Sequence, residues 1–321
     1  MRKWLLTVGW RLPFLRVLSS RQPVILLYHG VPAWGDGSDI DANIFERHIA
    51  FLKKHFDLVS LEDVSTKRRA LARIRLTLTF DDGFRNNAEV VAPILRKYQV
   101  PARFFICTRH TSPGKYLWFS YLRALETHFR WKRFRFRGET IDVTPHQRQQ
   151  SIRRLSEILL NLTPHPAAMY QAIDEELPRL EDFVDSRNIA DRYAGMTTEH
   201  IAELAADPLF SLGIHTLDHP FLTRCTGEEA RRQIQENRAW IKRVSQQPCR
   251  TIAYPSGDYH AGTVQWCQDL GLSHGYAVLS QNNAGSRLEI PRMGIYSTST
   301  DILGFKAQWG NLMRKLQIKV G

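Results

Sequence analysis

Two adjacent carboxylates stand at the end of an apolar run. Leu76–Phe80 is followed directly by Asp81 and Asp82, and carboxylates at the end of a buried strand are costly unless a partner neutralises or uses them. Two imidazoles occur downstream, His215 and His219, in the sequence GIHTLDHP. One carboxylate and two imidazoles make a divalent-metal set with positions left open for water and substrate, and the other carboxylate is then free to act as a base. These residues predict a metal-dependent hydrolase.

Short apolar runs alternate with amphipathic segments along most of the chain. Val24–His29 is an apolar run that ends in a histidine before Gly30, the pattern of a buried strand. Further strands are predicted at 58–60, 76–80, 102–107, 210–214, 251–254, 275–278 and 288–290, and helices at 43–55, 87–98 and 226–244, with another that begins at Thr197. This alternation predicts a parallel α/β sheet, either a barrel or a doubly wound sheet. Chemistry would lie at the carboxyl ends of the strands, where four candidates fall: His29, Asp81, Asp82 and His215.

Residues 112–195 interrupt the alternation. Helices are predicted at 118–129, 147–162 and 166–178, with a hairpin at 134–143. We interpret the chain as an N-terminal segment, 1–20, and one domain, 21–321, that carries a mainly helical insertion at 112–195. The basic and aromatic run at 130–137 favours a solvated hairpin face, with a site for an acidic glycan or a lipid headgroup as the alternative.

The net charge and the cysteine spacing limit the classes of partner and site that the chain could have. The 321 residues carry a net charge of +12, from 44 Lys and Arg against 32 Asp and Glu, which favours anionic partners or reflects a basic proteome. The basic residues are dispersed rather than gathered in one recognition element, which argues against nucleic acid. The four cysteines show no Cys-x-x-Cys spacing, so neither a disulfide framework nor a thiolate zinc site is predicted, and a reducing compartment is compatible.

The N-terminal segment is apolar but broken by Arg11, Pro13 and Arg16. It is too short to span a bilayer, which takes about 20 apolar residues, and it lacks a clear cleavage signal. Its apolar side chains could share one helical face, which predicts an interfacial helix; packing on the protein's own body is equally open. We expect a cytoplasmic protein that contacts the inner membrane surface.

Two of these motifs together resemble a known family. Thr79–Gly83, TFDDG, resembles the first motif of the polysaccharide deacetylases of the NodB type. His215–His219, HTLDH, resembles their second motif, His-[Ser/Thr]-x-x-His. The resemblance covers roughly residues 23–300 outside the insertion. It implies a deformed (β/α)7-type barrel that hydrolyses the N-acetyl amide of an amino sugar.

The resemblance also assigns roles by position. It implies that Asp82, His215 and His219 bind the metal and that Asp81 is the general base. Two imidazoles and one carboxylate suit zinc, although cobalt, nickel or iron(II) also occupy such sites.

The third motif departs from the family pattern. Ala253 stands where the family usually has an arginine, in an Ala-Tyr-Pro variant that resembles a branch associated with exported polysaccharides. We expect Arg292 to supply the missing guanidinium and orient Asp81. A backbone N–H near Ser256 is expected to help hold the oxyanion. The substrate and oxyanion candidates are therefore Tyr254, Pro255 and Ser256.

The family's late Leu-x-His general acid is absent as well. In the biofilm poly-N-acetylglucosamine deacetylases, which the Tyr28-His29 pair resembles, an early strand-end histidine does this work. The resemblance therefore implies His29 as the general acid. A buried histidine satisfied by backbone groups is the alternative.

These motifs imply a metal-dependent hydrolase that removes N-acetyl groups from amino sugars of a polysaccharide or a lipid-linked glycan, in envelope or exopolysaccharide synthesis. One alternative is a catalytically silent glycan-binding module, although a pure binder has no need of an intact metal set. Another is an amidohydrolase of small cyclic amides or ureides, although the aromatic-rich insertion favours a long or amphiphilic substrate. The expected partners are an N-acetylated glycan and, peripherally, an anionic membrane.

Overall fold

The structure is a computed structural model that describes residues 23–35, 38–64, 73–162, 164–278 and 286–315, with side chains to residue 310. The N-terminal segment, 1–20, lies outside the described residues, and so does the interfacial helix predicted there. None of the helices described is long and apolar enough to cross a membrane.

Nine strands of the described chain form one sheet whose strand pairs are all parallel. The strands are β1 Val24–Tyr28, β2 Asp57–Leu58, β3 Arg75–Phe80, β4 Ala102–Ile106, β7 Phe210–Ile214, β8 Thr251–Ala253, β9 His274–Ala277, β10 Ile290–Pro291 and β11 Met293–Gly294. Their order is β10-β9-β8-β7-β4-β3-β1-β11, with β2 beside the start of β3. A separate antiparallel hairpin consists of β5 Arg133–Phe136 and β6 Glu139–Asp142.

The two edges of the sheet meet through one short segment. Strands β10 and β11 are separated by Arg292 alone; β10 pairs with β9, and β11 pairs with β1. This segment brings the edges together into a nearly closed parallel barrel, the fold that the motifs predicted. The last strand was predicted at 288–290, whereas the structure has strand pairing at 290–291 and 293–294.

Helices surround the barrel. They are α1 Ala42–His55, α2 Ala92–Tyr98, α3 Trp118–His128, α4 Arg148–Leu160, α5 Pro166–Glu176, α6 Ser186–Asn188, α7 Thr198–Ala206, α8 Gly227–Ser245, α9 Ala261–Asp269 and α10 Thr300–Lys315. Side-chain caps mark several of their beginnings: Asp41 accepts from the Ile44 amide at α1, and Thr226 accepts from the Glu229 amide at α8. The helix predicted at 87–98 begins with a π turn at 87–91 and continues as α2.

Alternation along the strands decides which side chains enter the barrel. In β3, Leu76, Leu78 and Phe80 face the helices and belong to the main core. Residues of the opposite phase point inward, so Asp81 and His215 follow β3 and β7 on the interior phase. The interior is tightly filled: a Cβ on Gly213 would lie 2.3 Å from the Phe105 ring.

The segment 112–195 has its own apolar core. Twenty buried side chains between Trp118 and Tyr193 form a cluster separate from the main core, drawn from α3, the β5–β6 hairpin, α4 and α5. The predicted helices and hairpin are present. This second core holds one face of α3 against the mouth of the barrel, where Phe119 contacts the His219 ring.

One buried histidine is expected to make the stability of the fold depend on pH. His48 on α1 is fully buried, with its ring nitrogens 3.3 Å from the Tyr28 hydroxyl and 3.3 Å from the Thr298 carbonyl oxygen. Burial lowers the pKa of His48 to about 4, against 6.5 for an unperturbed imidazole, despite the Thr298 contact. The unfolded chain therefore takes up a proton first as pH falls. The contribution of neutral His48 to the free energy of unfolding is therefore complete above pH ~6.5. It declines by about 3 kcal/mol as the pH falls to ~4.

The measurement is the pH dependence of chemical unfolding between pH 7 and pH 4.5. We expect His48→Gln to flatten the acid decline relative to the wild type, and His146→Gln, at an exposed position, to leave it unchanged. Equal slopes for His48→Gln and the wild type would contradict this assignment.

Candidate active site

Three predicted ligands converge at the carboxyl edge of the barrel. Oδ1 of Asp82 lies 3.2 Å from Nε2 of His215 and 3.4 Å from Nε2 of His219. One ligand atom from each residue lies within 4.8 Å of the others, and all three side chains are buried. The loop after β7 thus brings together two imidazoles that are four positions apart.

The backbone at this site is strained. Three of the seven non-glycine residues with positive φ among the described residues lie here: Asp82 (76°), Thr216 (66°) and His219 (52°). Ser256 (55°) follows β8 in the third motif. The others end helices or turn the hairpin: Gln99, Gln246 and Arg137. A left-handed conformation at such residues costs of order 1–3 kcal/mol and persists only where surrounding contacts enforce it. The strain therefore marks the strand ends that aim the ligands.

Contacts behind the ligands fix their orientation. Nδ1 of His215 donates to the Ala253 carbonyl oxygen at 2.8 Å, because a carbonyl only accepts, and this leaves the Nε2 lone pair free. The amide of His215 donates to Asn237 Oδ1 at 3.1 Å. The amide of His219 donates to the Thr216 hydroxyl at 3.1 Å, which curls the loop.

The donor set fits a divalent metal. Oδ1 of Asp82 is buried and, among the described residues, has no hydrogen-bond partner, although it faces two imidazoles. Burial opposes ionisation of Asp82, but the neighbouring imidazoles outweigh it and hold its pKa well below the ordinary value. Burial also lowers the pKa of His219 to about 4, so this ring is neutral near pH 7. Burial opposes protonation of His215, but the Asp81 and Asp82 carboxylates outweigh it and raise its pKa, so a metal ion would compete with a proton for this ring. Divalent ions such as zinc bind ionised carboxylates and deprotonated imidazole nitrogens.

Asp81 is held by Arg292. The Nη1 and Nη2 atoms of Arg292 donate to the two carboxylate oxygens at 2.7 and 2.6 Å, and Nη1 also contacts the Thr79 hydroxyl at 3.2 Å. Both side chains are buried. Burial would raise the pKa of Asp81, but the Arg292 charge lowers it below the ordinary value, so Asp81 is ionised. A bidentate contact of this kind fixes the direction of the carboxylate as well as its charge.

A cavity of about 320 Å³ opens beside the metal set. Asp82 and His29 line it, and its other walls come from the loop after β1, from α3 and from residues 192–193 and 295–296. The ring of His29 stacks on Tyr296 with centroids 6.0 Å apart, and the Tyr296 side chain is 64% exposed. His29 is therefore beside the candidate metal centre and open to a ligand.

The third motif is only partly directed at the site. The Tyr254 hydroxyl donates to the Leu288 carbonyl oxygen at 2.8 Å, its amide donates to the Tyr276 carbonyl, and its ring is buried. It follows β8 on the outward phase, opposite to Ala253, so its side chain lies in the core and not at the ligands. Pro255 is buried beneath the turn, and Ser256 is exposed.

Sequence reasoning missed three polar residues that support the site. Gln233 and Asn237, both fully buried on α8, bind the 215–218 loop: the Gln233 side chain accepts from the Asp218 amide at 2.9 Å. They lie at positions i and i+4 on the buried face of α8. Polar residues at positions where the helical period predicts apolar ones could have identified them from the sequence. The third residue is His110, which is buried and has Nδ1 3.3 Å from the Asp82 carbonyl oxygen.

A parallel barrel with a buried carboxylate–imidazole set and an adjacent ionised carboxylate at its carboxyl edge has the architecture of a barrel hydrolase. The model of the polysaccharide deacetylase family matches residues 69–129 and 167–275, more than half of the chain. The chain belongs to the polysaccharide deacetylase family and is an N-deacetylase of the hydrolase class. The match leaves out 130–166, which contains the β5–β6 hairpin and α4.

Solved structures share the fold. The Streptococcus pyogenes deacetylase PplD, solved in complex with acetate, is 18% identical with a TM-score of 0.56, over 89% of this chain and 97% of that one. IcaB from Ammonifex degensii is 17% identical with a TM-score of 0.56, over 90% and 98%. The BpsB deacetylase domain from Bordetella bronchiseptica is 16% identical with a TM-score of 0.51, over 86% and 97%. No curated protein sequence matches the chain significantly.

Proposed function

We propose that this protein is a zinc-dependent N-deacetylase that hydrolyses the N-acetyl group of amino sugars in a polysaccharide or lipid-linked glycan. The observation that carries the proposal is one arrangement: the Asp82, His215 and His219 donor atoms lie within 4.8 Å of one another, next to an Asp81 carboxylate fixed by Arg292. The acetate complex of PplD, a protein of the same fold, supports the acetyl group as the part released.

The residues divide the chemistry between them. Asp82, His215 and His219 hold the ion, which when bound acidifies water and polarises an amide carbonyl. Asp81 accepts the proton of the water that attacks the carbonyl carbon, and the Arg292 contacts keep this carboxylate ionised and aimed. The Ser256 amide donates to the oxyanion that develops. His29 donates a proton to the sugar nitrogen as the carbon–nitrogen bond breaks, which leaves acetate and a free amine.

The general acid gives a separate prediction. His29→Asn should keep the metal content of the wild type, because His29 is outside the donor set, and should lower kcat by about 10²–10⁴-fold, the range of general acid catalysis. Zinc content by mass spectrometry and steady-state acetate release check both parts. A kcat equal to that of the wild type would remove His29 from the mechanism.

A substrate panel tests the function itself. We expect chelator-sensitive acetate release from oligomers of N-acetylglucosamine or from lipid-linked N-acetyl sugars, and none from a cyclic ureide such as allantoin. Binding of the oligomers without acetate release, in the zinc-loaded protein, would instead support a catalytically silent glycan-binding module. Hydrolysis of the cyclic ureide alone would support the small-amide alternative.

The cellular location stays a prediction. We propose a cytoplasmic enzyme in contact with the inner membrane surface, because segment 1–20 combines apolar and basic residues; this segment lies outside the described residues.

A further inference from the structure

The cavity beside the metal set has a charged wall that the deacetylation chemistry does not use. Asp82 and His29 line it, and so do three charged residues that form this wall: Asp39, Arg123 and Arg192. A sugar whose acetamido group lies at Asp82 would extend into this cavity and would meet the wall beyond the group that reacts.

Asp39 is shared between two guanidinium groups. Arg123 Nη2 lies 3.1 Å from Asp39 Oδ1, and Arg192 Nη1 lies 2.9 Å from Asp39 Oδ2. Arg192 also donates through Nη2 to the Trp34 carbonyl oxygen at 2.9 Å, and its side chain is 23% exposed. Arg192 thus has a structural role in holding the loop after β1, whereas the Arg123 side chain is 66% exposed and projects from α3.

Two hydrogen bonds anchor the loop that precedes Asp39. The Val31 amide donates to Asn86 Oδ1 at 2.9 Å, and the Ala33 amide donates to Asp191 Oδ1 at 2.7 Å. These bonds anchor the first part of the loop, and the two guanidinium groups hold the Asp39 carboxylate itself. A preorganised charged group loses less conformational entropy when it binds.

The balance of charge on this wall is positive. Asp39, Arg123 and Arg192 together carry one positive charge, because one carboxylate contacts two guanidinium groups. Asp82, the other carboxylate of the cavity lining, belongs to the donor set, where a bound ion would compensate its charge. A guanidinium presents several donors in a planar fork that matches phosphate and carboxylate oxygens. Ser120, one helical turn before Arg123 on α3, lines the same cavity and adds a hydroxyl.

We propose that this wall binds an oxyanion carried by the glycan, a phosphate or a carboxylate within one sugar of the acetamido group, with Arg123 as the principal contact. The inference rests on the proposed function, because it names the class of glycan that the same site accepts. An acidic N-acetylated glycan is therefore preferred over a neutral one of the same length.

Binding to the zinc-loaded Asp81→Asn variant tests this with turnover suppressed, because the variant keeps the donor set and the charged wall. Calorimetry would compare three tetrasaccharides: N-acetylglucosamine tetramer, the same tetramer with a 6-phosphate, and an alternating N-acetylglucosamine–glucuronic acid tetramer. We expect the phosphate or the carboxylate form to bind about tenfold tighter than the neutral form, because a hydrogen bond to a charged group contributes about that much. The tetrasaccharide that binds more tightly identifies the oxyanion. The advantage should shrink at high salt, because Arg123 is partly exposed.

Matched variants locate the contact. Arg123→Gln should remove the acidic advantage, measured as the ratio of neutral to acidic Kd. Arg231→Gln removes the same charge from an arginine that is 50% exposed and also paired with an aspartate, Asp269. It lies on α8 outside the cavity lining, so this variant should keep the ratio.

Equal Kd values for all three glycans, or an acidic advantage that survives Arg123→Gln, would overturn the inference. Its failure differs from failure of the proposed function: acetate release without acidic preference removes only the oxyanion site. Acidic preference in binding without acetate release from any glycan in the zinc-loaded protein removes only the deacetylase chemistry.

Discussion

Asp82→Asn is expected to abolish tight metal binding and to lower acetate release by about 10³–10⁴-fold. Asn keeps the shape and tolerates the positive φ of 76° at this position, but it removes the only carboxylate of the donor set. Lewis-acid stabilisation by a bound ion is worth several kcal/mol, and each 1.36 kcal/mol corresponds to about a factor of ten in rate. Zinc content and kcat/KM, measured on the same preparation, check the two parts together.

A surface aspartate provides the control. Asp269→Asn makes the same chemical change in an exposed ion pair with Arg231 and should match the wild type in metal content and rate. Wild-type activity in Asp82→Asn would show that the donor set is not the catalytic centre. An excess of zinc should restore part of the lost activity, because the two imidazoles remain.

Asp81→Asn is expected to lower kcat by about 10⁴-fold, the upper end of general base catalysis, while the metal content stays that of the wild type. The ligands of the metal set are untouched, but the amide cannot take a proton, and Arg292 loses its counter-charge. Breaking a buried ion pair costs about 3–5 kcal/mol of the free energy of unfolding, so rates belong at a temperature where circular dichroism shows a folded protein. Metal loss in parallel with the rate would contradict the division of roles between the adjacent carboxylates.

We propose that Arg292 acts by positioning Asp81, and two conservative variants distinguish this role from a purely structural one. Arg292→Lys keeps a positive charge beside the carboxylate but loses the bidentate contact, whereas Arg292→Gln loses both. We expect kcat to fall in the order wild type, Lys, Gln, with KM little changed. Equal kcat for the Lys and Gln variants, at equal folded fraction, would leave Arg292 a purely structural role.

The barrel was predictable because its strands are short, apolar and regularly spaced. β1, β3, β4, β7, β8 and β9 lie at or within one residue of their predicted places. Strands buried on both faces appear in the sequence as short, apolar-rich runs that are too short for helices. The closing segment was harder. Ile290–Gly294 holds a proline and an arginine and pairs with two different strands, so it has no strand pattern of its own.

The site was predictable to the extent that its residues end strands. Asp81 and Asp82 follow β3, and His215 follows β7, so parallel topology alone brings them to one edge. The Asp39, Arg123 and Arg192 wall was not predictable, because α3 and residues 192–193 reach the site through the separate core of segment 112–195. The position of α3 at the site depends on tertiary packing, and tertiary packing produces no periodic pattern in the local sequence.

Metal titration of the chelator-treated wild-type protein tests the central claim most directly. Acetate release from an N-acetylglucosamine oligomer is followed while zinc is added, with Asp82→Asn titrated in parallel. We predict no release from the metal-free protein, a linear rise that levels at a single equivalent of zinc per chain, and no rise at the same zinc level in the variant. Acetate release that persists in the metal-free protein, or an equal rise in the variant, would contradict the account.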